Sequence, residues 1–159
     1  MRALIVVDMQ YDFINGSLAV PGAAEIVFPI QELVRSYCKN RDVVILTRDR
    51  HPVDHCSFVE QGGFWPAHCV AGTEGGKIQI GLRLIAEIYN ANIVSKGQNP
   101  DEDEYSGFKY CLPILREEGV DDVQICGLAR DYCVQATYEE SVKVYPTTIL
   151  EDLCRSVNK

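Results

Sequence analysis

Apolar residues along the chain follow two alternating rhythms. Short, nearly unbroken apolar runs occupy Ala3 to Asp8, Val43 to Thr47, Ala91 to Lys96, Asp122 to Gly127 and Thr147 to Leu150. Runs without polar alternation suit parallel strands covered on both faces. Between them, amphipathic stretches predict helices over Ala24 to Cys38, Gly76 to Tyr89, Lys109 to Glu118 and Tyr132 to Lys143. Strand then helix, repeated, implies right-handed crossovers, and so an α/β fold: a three-layer α/β/α sandwich with a mostly parallel sheet. The length of 159 residues suits a single domain, 1–159.

One stretch breaks the rhythm. Arg48 to Gly75 has no clear period and is rich in Pro, Gly, His, Trp and Cys. A long irregular segment inside a compact domain is usually functional or disordered. Phe58, Phe64, Trp65 and Val70 give it apolar anchors, which favours function. The acidic run Pro100 to Glu104 reads as a solvated loop.

In open α/β sheets, ligands bind beyond the carboxyl ends of the strands. The predicted strands end at Asp8, run into Asp49 and His51, end at Lys96, and empty through Gly127 towards Cys133. A carboxylate, a carboxylate–imidazole pair, an amine and a thiol thus converge on one edge. A thiol becomes a nucleophile with a base or a lowered pKa. Cys133, in the first turn of a helix, would sit near N–H groups without intrahelical partners, a setting that also receives an oxyanion. Asp8 is placed to take the thiol proton, with Lys96 holding Asp8 ionised. The plainer alternative is a structural Asp8–Lys96 pair with Cys133 packing. Asp49, His51 and His68 form an open set for zinc, iron or manganese. His55, Cys56 and Cys69 form a competing closed zinc set. Phe13 and Trp65 suit either the core or a stacking pocket.

Composition narrows the classes. A hydrophobic fraction of 47% and a charged fraction of 24% are those of a soluble globular chain. The net charge of −8 argues against nucleic acid and anionic membranes as partners. No stretch reads as a spanning helix or a signal-peptide core, so a reducing cytoplasm is expected. Seven cysteines, an odd number without a C-x-x-C pair, read mostly as buried free thiols.

In order, "VVDMQYDF", "TRDRHPVDHCSF", "GGFWPAHCVAGTEG", "VSKG", "YSGF" and "GLARDYCVQAT" run from about Leu4 to Leu150. Together they resemble the nicotinamidase/pyrazinamidase branch of the isochorismatase-like cysteine hydrolases. The resemblance implies hydrolysis of nicotinamide, and of pyrazinamide-like amides, to the acid and ammonia through a cysteine thioester. It implies a triad of Asp8, Lys96 and Cys133, and oxyanion donors at the N–H groups of Ala129 and Cys133. It also implies a cis peptide between Leu128 and Ala129. A divalent metal, zinc before iron or manganese, would be held by Asp49, His51 and His68 and would hold the pyridine nitrogen. Glu60 lies where some relatives place a further, often water-linked ligand, and Phe13, Trp65 and Tyr105 would form the substrate pocket. Another small amide as substrate, or a non-catalytic metal-binding module, are the alternative readings. Two features depart from the pattern. Arg130 stands where relatives often have Thr, and the chain stops at Lys159, where relatives usually continue through another helix. The shortened C-terminus predicts an open sheet edge, offset by homo-oligomerisation or by a naturally short fold.

Overall fold

The computed structural model describes residues 1–158. Five strands form one all-parallel sheet: β1 (Arg2–Val7), β2 (Val43–Asp49), β3 (Asn92–Lys96), β4 (Asp122–Leu128) and β5 (Thr147–Arg155). Their order is β3-β2-β1-β4-β5. Burial follows position in the sheet. Leu4, Ile5, Ile45, Val123 and Ile125 on the three inner strands are at most 1% exposed, whereas Ile93 on edge strand β3 is 39% exposed. An unbroken apolar run is needed only where both faces are covered.

The helices are α1 (Tyr11–Ile14), α2 (Val27–Lys39), α3 (Ile80–Tyr89), α4 (Phe108–Glu117) and α5 (Gln135–Ser141). Ile30, Val34 and Tyr37 form the buried stripe of α2, and Leu82, Ile85 and Ala86 that of α3. The pair α2 and α3 pack on each other, as do α4 and α5. That is the two-sided cover right-handed crossovers produce.

Several boundaries differ from the periodicity. The first long helix starts at Val27, after a 3₁₀ turn over Ala23–Ile26, because Gly22 turns the chain at φ +78°. Pro29 fits its first turn, where a missing N–H has no helical partner to lose. Helix α3 begins at Ile80, later than Gly76, because the Gln79 side chain caps it by accepting from Leu82 N at 3.0 Å. Strand β5 runs on to Arg155, past an irregularity in its pairing with β4 between Ile125 and Gly127. The predicted Tyr132–Lys143 helix is a π-helical turn, Arg130–Val134, followed by α5.

Topology decides where a site can form. The chain steps outward from β1 to β2 to β3, then places β4 on the other side of β1. The strand order therefore reverses between β1 and β4, and a crevice opens beyond their carboxyl ends. Asp8 follows β1 there, and the Ala129–Cys133 segment follows β4.

Candidate active site

Asp8 leaves β1 in the left-handed region at φ +48°, uncommon for a residue other than glycine. The neighbouring strand holds it there. Its N–H donates to Thr47 O at 3.2 Å, and Thr47 Oγ1 donates to Asp8 Oδ1 at 2.7 Å. Asp8 Oδ2 forms a buried ion pair with Lys96 Nζ at 2.9 Å. Asp8, Asp49 and Cys133 each offer an atom within 4.8 Å of the others, so Cys133 is the neighbour with a proton to share.

Lys96 ends β3, fully buried. Its Nζ donates to Asp49 Oδ1 at 2.6 Å and to Cys133 Sγ at 3.4 Å. One ammonium therefore faces two carboxylates and a thiol. Burial pushes Asp8 up, and neither Lys96 nor the Thr47 hydroxyl reverses that. Burial also acts to raise Asp49, but Lys96 and His51 outweigh it and hold Asp49 well below the ordinary carboxylate range. The ammonium is shared between the two carboxylates, at 2.6 Å from Asp49 and 2.9 Å from Asp8. Two carboxylates whose pKa values are pushed apart separate a proton carrier from a fixed anion. Burial likewise raises Cys133 well above an ordinary thiol, with Lys96 only partly opposing, so the resting sulfur carries its proton.

Cys133 lies in the π-helical turn after β4 and lines the pocket with Ala129. The peptide between Leu128 and Ala129 is cis. Cys133 O accepts from Thr137 Oγ1 at 2.7 Å, and Thr137 Oγ1 in turn accepts from Gly107 N at 3.3 Å, tying the turn to the start of α4.

Asp49, His51 and His68 form a second, overlapping cluster, with one ligand atom from each within 4.8 Å of the others. His51 Nδ1 bonds Gly97 O at 2.7 Å, and His68 Nδ1 bonds Pro66 O at 2.8 Å. Since a carbonyl only accepts, both Nδ1 atoms carry a proton, so in the neutral ring each Nε2 presents its lone pair to the cluster. His51 Nε2 lies 3.5 Å from Asp49 Oδ2. Two imidazole nitrogens and a carboxylate, oriented by backbone carbonyls, fit a divalent cation of the zinc type with positions to spare.

The competing zinc set is not assembled. Both nitrogens of His55 are engaged, Nδ1 with Ser57 Oγ at 2.7 Å and Nε2 with Glu102 O at 2.8 Å, and its ring stacks on His51 at 3.9 Å. Neither Cys56 nor Cys69 joins a metal-capable cluster among the described residues. Glu60 sits exposed on a 3₁₀ turn and also lies outside those clusters.

Phe13, Trp65, Tyr105 and Tyr132 wall the pocket. Trp65 Nε1 donates to Tyr105 OH at 3.2 Å, and Trp65 meets Tyr132 edge-on at 5.1 Å. Burial pushes the Tyr105 hydroxyl up to about 12, so it stays neutral. Arg130 does not line this pocket. Its guanidinium bonds both oxygens of Glu151 on β5, at 2.8 and 3.0 Å.

Sequence reasoning missed the residues that brace the site through backbone atoms. Gln10, fully buried, clasps Asp49 like a peptide group, accepting from Asp49 N and donating to Asp49 O, both at 2.8 Å. Asp12 Oδ2 accepts from Cys69 N at 2.8 Å and so fixes the residue after His68. A polar residue soon after a buried strand end was the available signal for both. Glu104, read as part of a solvated run, accepts from Gly97 N at 2.9 Å and from Tyr110 OH at 3.0 Å.

Comparisons with known proteins place the chain in a family. A family model described as the isochorismatase domain matches residues 2–159. The nicotinamidase of Escherichia coli (strain K12) is 35% identical over 183 aligned positions, covering 99% of this chain and 84% of that protein. The crystal structure of pyrazinamidase of Pyrococcus horikoshii in complex with zinc superposes with a TM-score of 0.91 at 40% identity, covering 99% of this chain and 87% of that one. The yeast nicotinamidase bound to the inhibitor nicotinaldehyde gives a TM-score of 0.94 at 31% identity, covering 100% of this chain and 90% of that one. Matched along nearly its whole length by the domain model and by relatives above 30% identity, the chain belongs to the isochorismatase family.

Proposed function

We propose that the protein is a nicotinamidase, an amidohydrolase that converts nicotinamide and pyrazinamide-like amides to the acid and ammonia. The observation that carries this reading is buried Asp8, ion-paired with Lys96 at 2.9 Å and set beside the protonated Cys133, in a pocket walled by aromatic rings. Asp8 takes the Cys133 proton as the sulfur attacks the amide carbon. The N–H groups of Ala129 and Cys133 receive the oxyanion. Asp8 returns the proton to the departing nitrogen, ammonia leaves, and a thioester remains on Cys133. Asp8 then accepts a proton from the water that attacks the thioester, releasing the acid and restoring the thiol. Lys96 stays charged throughout, because two carboxylates raise its pKa more than burial lowers it. Phe13, Trp65 and Tyr105 hold a flat ring.

Asp49, His51 and His68 would hold a divalent ion, zinc by the chemistry of the donors, which supplies a Lewis-acid anchor for the ring nitrogen. All seven cysteines are free, which supports a reducing, cytoplasmic setting. No helix among the described residues is long and apolar enough to cross a membrane.

Ammonia release from a panel of aromatic and aliphatic amides, before and after chelation, tests the reading. Nicotinamide should lead the panel, and a faster aliphatic amide would displace it. Cys133→Ala should lower turnover by roughly 10⁴-fold or more with metal content unchanged. Activity near wild type in that variant would refute the nucleophile assignment.

A further inference from the structure

A second cleft, of about 280 Å³, opens between the end of β2, the 69–77 loop and the start of α3. Arg48, Arg50, Lys77 and Arg83 line it. They are four of the fifteen lysines and arginines of a chain whose net charge is −8, so chance placement on an acidic surface accounts poorly for them. Like charges gathered at one cleft repel unless an anion offsets them. Lys77 has such a partner, Glu74 at 2.5 Å. The three arginines form no ion pair, although the Arg83 charge also acts on Glu74. Arg48 Nε donates to the neutral Ser95 Oγ at 2.9 Å, and among the described residues no carboxylate lies within 4.0 Å of Arg48, Arg50 or Arg83. Asp49 is the only carboxylate in the lining, and Lys96 already engages it at 2.6 Å.

Guanidinium forks match the oxygens of phosphate and carboxylate better than any other side chain does. Three of them around one cleft suit a tetrahedral dianion more than a planar monoanion. The size bounds the ligand as well. Small-molecule clefts usually span about 300–1,000 Å³, so this one suits a phosphoryl group on a small body and is too small for a dinucleotide. We infer that the Arg48–Arg50–Arg83 cleft is a binding site for a phosphoryl group, carried by inorganic phosphate or by a small phosphate monoester. The inference stands apart from the amide chemistry, since none of the three arginines lines the pocket of Cys133.

Isothermal titration of the metal-loaded protein with inorganic phosphate and with glycerol 3-phosphate, at low and high salt, tests it. Saturable binding that weakens with salt is expected, and Arg83→Gln or Arg50→Gln should each weaken it at least about tenfold. Arg116→Gln, on the exposed side of α4, should leave it unchanged, and Arg83→Gln should keep wild-type amide hydrolysis as proof of an intact fold. Binding of both ligands assigns the site to the phosphate group itself. Binding of glycerol 3-phosphate alone assigns it to a monoester. Absence of binding to the wild-type protein, or binding that survives both substitutions, overturns the inference. Chelation that removes such surviving binding would place the anion on the metal instead.

Discussion

Lys96 joins the two halves of the site, and its removal should be felt in stability as well as in catalysis. Its Nζ stands between Asp8 at 2.9 Å and Asp49 at 2.6 Å, all three side chains being at most 5% exposed. Taking away one partner of a buried ion cluster strands the others, at about 3–5 kcal/mol. Lys96→Met, in metal-free protein unfolded by urea, should lose that much; a variant as stable as wild type would mean the carboxylates are not charged together. Glu104 offers a pH-resolved counterpart. Burial raises its carboxyl, but Lys109, the Gly97 N–H and Tyr110 together hold it below the usual range. A depressed carboxyl stabilises the fold above its unfolded pKa, about 4.3, and that stability is lost as pH falls through the folded value. Glu104→Gln should therefore be less stable at pH 7, and its deficit should shrink on acidification below about pH 4. A deficit independent of pH would contradict this. At the scale of single residues, strand ends in the sequence pointed to Asp8, Asp49, His51, Lys96 and Cys133, because chemistry at a sheet edge is placed by topology. Gln10, Thr47 and Asp12 were not legible. They act on groups 39 to 57 residues away, and although a place soon after a strand end marks Gln10 and Asp12, no local pattern encodes their partners.

Among the elements, the contact of β1 with β4 sets the width of the crevice. Gly127 has φ +116°, and a Cβ there would lie 2.2 Å from Val7 O. Gly127→Ala combines strain with a backbone clash and should cost more than about 3 kcal/mol. Gly119 also has a positive φ, +67°, with open space around it, so Gly119→Ala should cost about 1 kcal/mol, the strain alone. Thermal unfolding of the two variants compares them directly, and equal losses would refute the clash. The strands were legible because the inner three carry nearly unbroken apolar runs, Gln124 in β4 being the polar interruption. Helix starts were less so, since Gln79 as a cap and Gly22 as a turn override amphipathic period. The far half of β5 escaped because Glu151 and Asp152 break its apolar run at the sheet edge.

Across the whole molecule, the sheet ends in two edges, β3 and β5. Open edges favour pairing with another chain, and the expectation of a homo-oligomer rests on them. Size-exclusion chromatography with light scattering should show a species larger than 17.8 kDa; a monomer across concentrations would contradict it. The alignment to the Escherichia coli relative needs 183 positions, more than the 159 residues of this chain, so part of the length difference lies between shared segments. The acidic total of −8 was plain from composition, whereas the basic cleft was not. Arg48, Arg50, Lys77 and Arg83 meet only when β2, the 69–77 loop and α3 fold together.

In this mechanism the Cys133 sulfur becomes bonded to the acyl carbon of the substrate. Rapid quenching of nicotinamide turnover in acid, followed by peptide mass spectrometry, tests that bond directly. The predicted result is an acyl adduct on the Cys133 peptide that appears within a turnover and decays as the amide is consumed. Full ammonia release with no adduct at Cys133 under conditions that preserve thioesters, or an adduct on one of the other six cysteines, would contradict it.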